Sequence, residues 1–194
     1  MTNTNLAIVS RAEPLLTLND LKDHLRVVGV QDDNYIRDLT YVASDRVASL
    51  TNLQTEDVTF DLTVERDYMF SLDVILPRHP LAGLVSVSAD GVDLAVNEVH
   101  VFNARSRNPR VCSNLQASSW VVRFRAGHGG QDGSLDLIPF TVTNKVPTQG
   151  LQAIRLLVAH WFEFREPILT GTILARIPDT VDALLNNIAK DPVI

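Results

Sequence analysis

The sequence predicts an α+β fold: a small α-helical bundle, with two N-terminal and two C-terminal helices, interrupted by an inserted antiparallel β region. Three observations predict it. Apolar residues recur at helical spacing up to about Asn52, the period changes to two between Val58 and Phe124, and helical spacing returns after Pro147. With 194 residues, 45% hydrophobic and 21% charged, the chain is long enough to bury one continuous core without disulfide or metal staples. The expected division is residues 1–57 and 146–194 as a helical core and residues 58–145 as an inserted β subdomain.

Thr17 reads as the N-cap of the first helix, with acidic Asp20 three positions on and Leu18, Leu21, Leu25 and Val28 on one face. Gly29 is expected to end it. Asp32 and Asp33 are placed to cap a longer second helix, in which Ile36, Leu39, Val42, Ala43, Val47 and Leu50 recur. In the β region, Val58-Thr59-Phe60-Asp61-Leu62-Thr63-Val64 and Trp120-Val121-Val122-Arg123-Phe124-Arg125 alternate strictly. Asp90-Gly91 between two apolar runs signals a tight hairpin, because a type I′ turn needs positive φ at both central residues. Ser106-Arg107-Asn108-Pro109 reads as a second turn. Pro77 and Pro80 belong at strand ends or edges, since neither donates to a ladder. Gly127 to Ser134 reads as a flexible loop. After Pro147, Leu151, Ile154, Leu157, Val158, Trp161 and Phe162 cover so wide an arc that the helix is expected to be mostly enclosed, with Trp161 as its anchor. It stops before Pro167, and a last helix runs from Asp179 to about Lys190.

Seventeen basic against 23 acidic side chains give a formal net charge of -6, which argues against a tight non-specific grip on nucleic acid. The single cysteine, Cys112, excludes an internal disulfide and points to a reducing compartment. No run approaches the roughly 20 apolar residues of a membrane span, and Met1-Thr2-Asn3-Thr4-Asn5 lacks the charged start of a signal peptide. Cytoplasmic synthesis is the expectation.

An enzyme needs a convergent set of acid, base, nucleophile or ligands, and the candidates lack company. His24, His79, His100, His128 and His160 are scattered, with no HExxH, HxH or Cys-His pairing, so neither a metal nor a cofactor is expected. His160, in the most apolar helix, is read as structural. The Gly127–Gly133 stretch follows a strand but carries no Lys and no GxxxxGK[ST] pattern, so a mobile connection outweighs a phosphate loop. There is no GxSxG elbow, and Cys112 reads as a small hydrophobe. Arg105, Arg107, Arg110, Arg123 and Arg125 form the only basic concentration: solvated strand residues, or an interprotein patch whose planar forks suit carboxylate partners. The tail Lys190-Asp191-Pro192-Val193-Ile194 is apolar and extended beyond Pro192, a segment suited to docking on a partner or, alternatively, to fraying.

Four blocks carry a resemblance: Leu16-Thr17-Leu18-Asn19-Asp20-Leu21-Lys22-Asp23-His24-Leu25-Arg26-Val27; Leu76-Pro77-Arg78-His79-Pro80-Leu81 leading to Val85-Ser86-Val87; Val122-Arg123-Phe124-Arg125-Ala126-Gly127-His128-Gly129; and residues 153–166 followed by Ile177-Pro178 and Val181-Asp182-Ala183-Leu184-Leu185. In this order they resemble the head-tail connector (adaptor) proteins of long-tailed bacteriophages, prophages and gene-transfer particles. The resemblance covers roughly residues 15 to 190. It implies a non-enzymatic ring, commonly of twelve copies, at the neck of a virion, between the portal and the tail or stopper protein, through which DNA passes. It implies that the C-terminal end docks on the portal. Two departures stand out, a long Ile138–Lys145 segment and Phe164 where many relatives are polar. The alternatives are a neighbouring head-completion or stopper protein, and a small hydrolase or nucleotide-binding enzyme using His128 or the 127–133 loop.

Overall fold

Period-two alternation becomes a sheet in which apolar residues of neighbouring strands stand opposite one another. The computed structural model describes residues 2–104, 106–128, 136–139, 146–164 and 179–190. Strand β2 (Val58–Ile75) pairs antiparallel with β6 (Arg110–Ala126), setting Val58 against Ala126, Phe60 against Phe124, Leu62 against Val122 and Val64 against Trp120. All eight side chains are buried, and the Phe60 and Phe124 rings stack at 5.4 Å. The intervening residues, Asp61, Arg123 and Arg125 among them, take the opposite face.

Among the described residues the sheet has seven strands in the order β1-β2-β6-β3-β4, with β5 (His100–Phe102) on β6 and β7 (Ile138–Pro139) on β3. Strand β3 spans Leu81–Ala89 and β4 Val92–Asp93. Between them Asp90 (φ 48°) and Gly91 (φ 83°) make the anticipated turn, and Asp90 accepts from the backbone N–H groups of Ser118 and Ser119. Pro77 and Pro80 fall between β2 and β3, and Ser106–Pro109 between β5 and β6. The β2–β6 register breaks between Glu65 and Phe70 and again between Ser71 and Leu72, and such bulges bend long strands. Both halves of the two strands accordingly feed one core, which also takes in Phe70, Leu72, Leu84, Val87, Val111 and Trp120.

The first strand, β1 (Thr2–Arg11), corrects the expectation of a chain that begins with helices. It pairs antiparallel with β2, with Leu6 opposite Leu62 and Ile8 opposite Phe60. Its Thr/Asn-rich stretch holds few apolar residues, so alternation is faint, and pairing with β2 decides its state. Residues 2–13 and those from Glu56 onward through β7 form one compact unit, so this start of the chain groups with the sheet and not with the helices.

The second unit, Pro14–Thr55 with Val146–Asp191, holds four α-helices among the described residues: α1 (Leu18–Leu25), α2 (Asp33–Thr51), α3 (Thr148–Glu163) and α4 (Asp179–Lys190). Thr17 and Asp20 form the capping box, each side chain accepting from the other's backbone N–H. Asp32 occupies the α2 N-cap position without a side-chain cap bond. Leu21, Ile36, Ala43, Val47, Ala153, Ile154, Leu157, Val158, Val181, Leu185 and Ile188 share one core.

Three expectations are corrected here. The first helix ends three residues early, at a left-handed Arg26 (φ 56°), so Val28 lies in the following turn, 98% exposed, instead of on the apolar face. Val42 and Leu50 of α2 are likewise exposed. Trp161 is half-buried, while the fully enclosed tryptophan is Trp120, in the sheet.

Candidate functional site

Three of the arginines singled out in the sequence, Arg110, Arg123 and Arg125, are placed by β6, whose outward positions alternate with its buried ones. Arg123 faces Asp61 directly across the β2–β6 ladder, and its Nε and Nη2 donate to the two carboxylate oxygens, each at 2.7 Å. This planar, two-pronged fit is what Arg supplies and Lys does not. Arg110 makes the same kind of bidentate contact with Asp73, which also lies 3.4 Å from the Cys112 thiol. Hydrogen bonding from Arg110 holds the Asp73 carboxyl below its ordinary range, while burial and then Asp73 push the Cys112 thiol up. A thiol shifted that way is a poor nucleophile. Arg107 is half-buried, and Arg105 lies outside the described residues.

Arg125 is more enclosed than Arg110 or Arg123. It donates to Asp57 at 3.2 Å and to Asp136 at 2.8 Å, and both carboxylates are buried. Beside them Arg11 Nε stands 3.3 Å from Glu56, itself fully buried. Two glycines make room. A Cβ on Gly83 would overlap the Asp136 carboxylate, and one on Gly127 (φ +121°) would overlap the Glu56 carbonyl. Burial outweighs Arg125 at Asp136, so its carboxyl is pushed up, with Asp57 adding to the rise. This ion-paired set is not legible in the sequence, because Arg11, Glu56 and Asp136 lie far apart in the chain. His79 and His128 are the buried histidines, whereas His160 is half-buried, its ring tilted against that of Phe164 at 5.1 Å.

Chemically these arrangements tie strands together. Among the described residues no group of three or more His, Cys, Asp or Glu stands together as a metal site. Of the loop from Gly127, residues 129–135 lie outside the described residues, as do residues 140–145, 165–178 and Asp191, Pro192, Val193 and Ile194 of the tail; Lys190 closes α4. No described helix is long and apolar enough to cross a membrane.

Surface apolar residues supply the other candidate features. In the α1–α2 turn Val28 and Val30 are 98% and 77% exposed. That turn is braced, because Lys22 Nζ donates to the Gly29 carbonyl and to Asp33 (2.7 Å), and the Val27 N–H bonds the Lys22 carbonyl at 3.0 Å. On the sheet, Tyr68, Met69 and Leu115 are exposed at the two register breaks, with the Arg66 guanidinium 4.2 Å from the Phe70 ring centroid. Ile8 and Val9 are exposed on β1.

No protein-family model matches the chain, and no curated protein matches it in sequence. Solved structures do match in fold. A chain in the neck of an empty gene transfer agent particle, computed with C6 symmetry, aligns at a TM-score of 0.69 and 18% identity, over 98% of this chain and 97% of that one. A chain in the virion of the native gene transfer agent particle aligns at 0.66 and 19% identity, over 97% of each. One in the neck of the native particle, computed with C12 symmetry, aligns at 0.65 and 19%, over 98% of this chain and 97% of that one. The resemblance read from the sequence is borne out in fold: over nearly its entire length, this chain is built like the neck and virion chains of a gene transfer agent particle.

Proposed function

We propose that the chain is a structural neck protein of a phage-like particle, acting as a ring-forming adaptor between portal and tail and leaving a channel for DNA. The observation that carries this reading is the end-to-end match of fold to neck chains, with coverage of 97% or more on both sides. A partial match would suit a domain shared among unrelated proteins, whereas here the two folds align along nearly the whole of both chains.

The composition of the sites agrees with such a role. Ion pairs at Arg110–Asp73, Arg123–Asp61 and Arg125–Asp57/Asp136 consume cationic charge inside the subunit, so a net charge of -6 is not offset by an open basic face at these three positions. An acidic channel wall repels the phosphate backbone and lets DNA slide, because counterion-release binding needs free Lys and Arg. The exposed Val28 and Val30, held on a braced turn, suit contact with a neighbouring protein, since a rigid apolar peg loses little entropy on docking. The portal-docking tail 190–194 and the twelvefold count belong to the same proposal.

Co-expression with the portal protein of the same particle tests it. Purified complexes viewed by electron microscopy are expected to show this chain as a ring stacked on the portal. Failure to bind the portal, or turnover of a nucleotide or ester by the isolated chain, rejects it.

A further inference from the structure

The sheet ends at β1, and no strand pairs with the outer edge of β1 among the described residues. Thr2 to Ile8 run in unbroken register with Arg66 to Phe60, so the opposite side of the strand presents a regular row of backbone donors and acceptors. Natural sheets protect such edges with lysine, proline, shortness or bulges. This one is ten residues long, holds no Lys or Pro, and has a single bulge after Ile8.

The apolar face points the same way. Leu6 and Ile8 lie beside Leu62 and Phe60, on the side of the sheet that forms the core, yet Ile8 is 54% exposed. Among the described residues the core row therefore runs on to the edge strand and stops there, with Ile8 uncovered. An added strand satisfies the backbone row and covers Ile8 together. Charge admits a second copy as the occupant. Residues 2–10 carry no charged side chain in a chain of net charge -6, so β1 sets no carboxylate of its own against a like-charged copy.

We infer that β1 is an assembly edge, onto which an extended segment of a second copy of this chain adds as a further strand. Backbone pairing of this kind gives affinity through the main chain and register through alternate side chains. With edge and added segment as different surfaces, the contact is head-to-tail, the kind that closes into a ring where the rotation between copies permits. The inference deepens the ring reading above and rests on it.

The test uses the full chain with the photo-crosslinker p-benzoylphenylalanine at Ile8, irradiated across a concentration series, beside sedimentation velocity and hydrogen exchange of the unmodified chain. Adducts of twice the chain mass are expected to grow with concentration, and β1 amides to slow by about tenfold or more on assembly. Ile8→Lys is expected to weaken self-association about tenfold or more while its urea midpoint stays at the parent value. An adduct confined to one chain, or a chain that stays monomeric throughout, overturns the inference. So does an assembled ring whose β1 amides exchange as in the monomer, and that result leaves the neck reading standing. A protected β1 in a chain absent from the neck overturns the neck reading alone.

Discussion

The indole N–H of Trp120 donates to the carbonyl of Phe70 at 3.1 Å, joining β6 to β2 where their ladder is out of register. Trp120 is fully buried, and its ring meets Phe70 edge-on at 6.5 Å. This side-chain bond adds a link between the two strands beside the break in their register. Trp120→Phe removes this buried hydrogen bond and is expected to cost about 1 kcal/mol from that loss alone. Trp161→Phe, at a half-buried helix position, is expected to cost less than about 1 kcal/mol. Urea unfolding followed by circular dichroism ranks the two; equal costs would contradict the placement of the core.

Glycine substitutions separate close approach from backbone strain. At Gly127 a Cβ meets the Glu56 backbone and φ is +121°, whereas at Gly91 φ is +83° with open space around it. Gly91→Ala is expected to cost about 1–2 kcal/mol, and Gly127→Ala clearly more, since the Glu56 segment must also shift. Gly83→Ala displaces Asp136 from Arg125 and is expected to fall between them. Thermal midpoints of the three variants check the order.

Acid affects the carboxylates with opposite signs. Hydrogen bonds from Thr17 at Asp20, from Arg110 at Asp73 and from Ser119 at Asp90 hold these carboxyls below their ordinary value. Each favours the fold above the unfolded-state value near 3.9, and that contribution is lost as pH falls through the lowered folded value. Asp136 is raised, chiefly by burial, so its contribution is present below the ordinary value and is lost as pH rises through the raised one. Asp73→Asn is therefore expected to destabilise slightly at about pH 7 and to converge with the parent in acid. Asp136→Asn is expected to show the reverse trend, the parent gaining on it as pH falls toward about 4. Urea midpoints measured at intervals from about pH 3 to about pH 7 read both slopes.

The α1 capping box offers a local check. Thr17 Oγ1 accepts the Asp20 N–H at 3.2 Å, so Thr17→Ala is expected to cost about 1 kcal/mol and to speed amide exchange in the first turn of α1. Asp32→Ala at the α2 start is expected to cost less, because no side-chain cap bond is made there.

Features set by neighbouring residues were legible in the sequence: the Thr17/Asp20 cap, the Asp90-Gly91 turn, the α3 and α4 spans, and the alternation of β2 and β6. Features set by distant partners were not. Strand β1 takes its state from β2, some fifty residues away, and nothing local to Thr2-Asn3-Thr4-Asn5 announces it. The arginines were legible as a set, but their carboxylate partners were not, because Arg123 and Asp61 meet through strand register alone. Trp161 looked like the core anchor on helical periodicity; Trp120 holds that position because both of its neighbouring strands, β2 and β3, flank it in the sheet.

The central claim is that this chain is shaped material in a neck, and a reconstruction of the particle that carries it tests that claim most directly. The account predicts density for this fold in a closed ring between the portal and the next tail-side component, with the channel open through its centre. Density for the chain elsewhere in the particle, or an intact neck from particles lacking the chain, would contradict it.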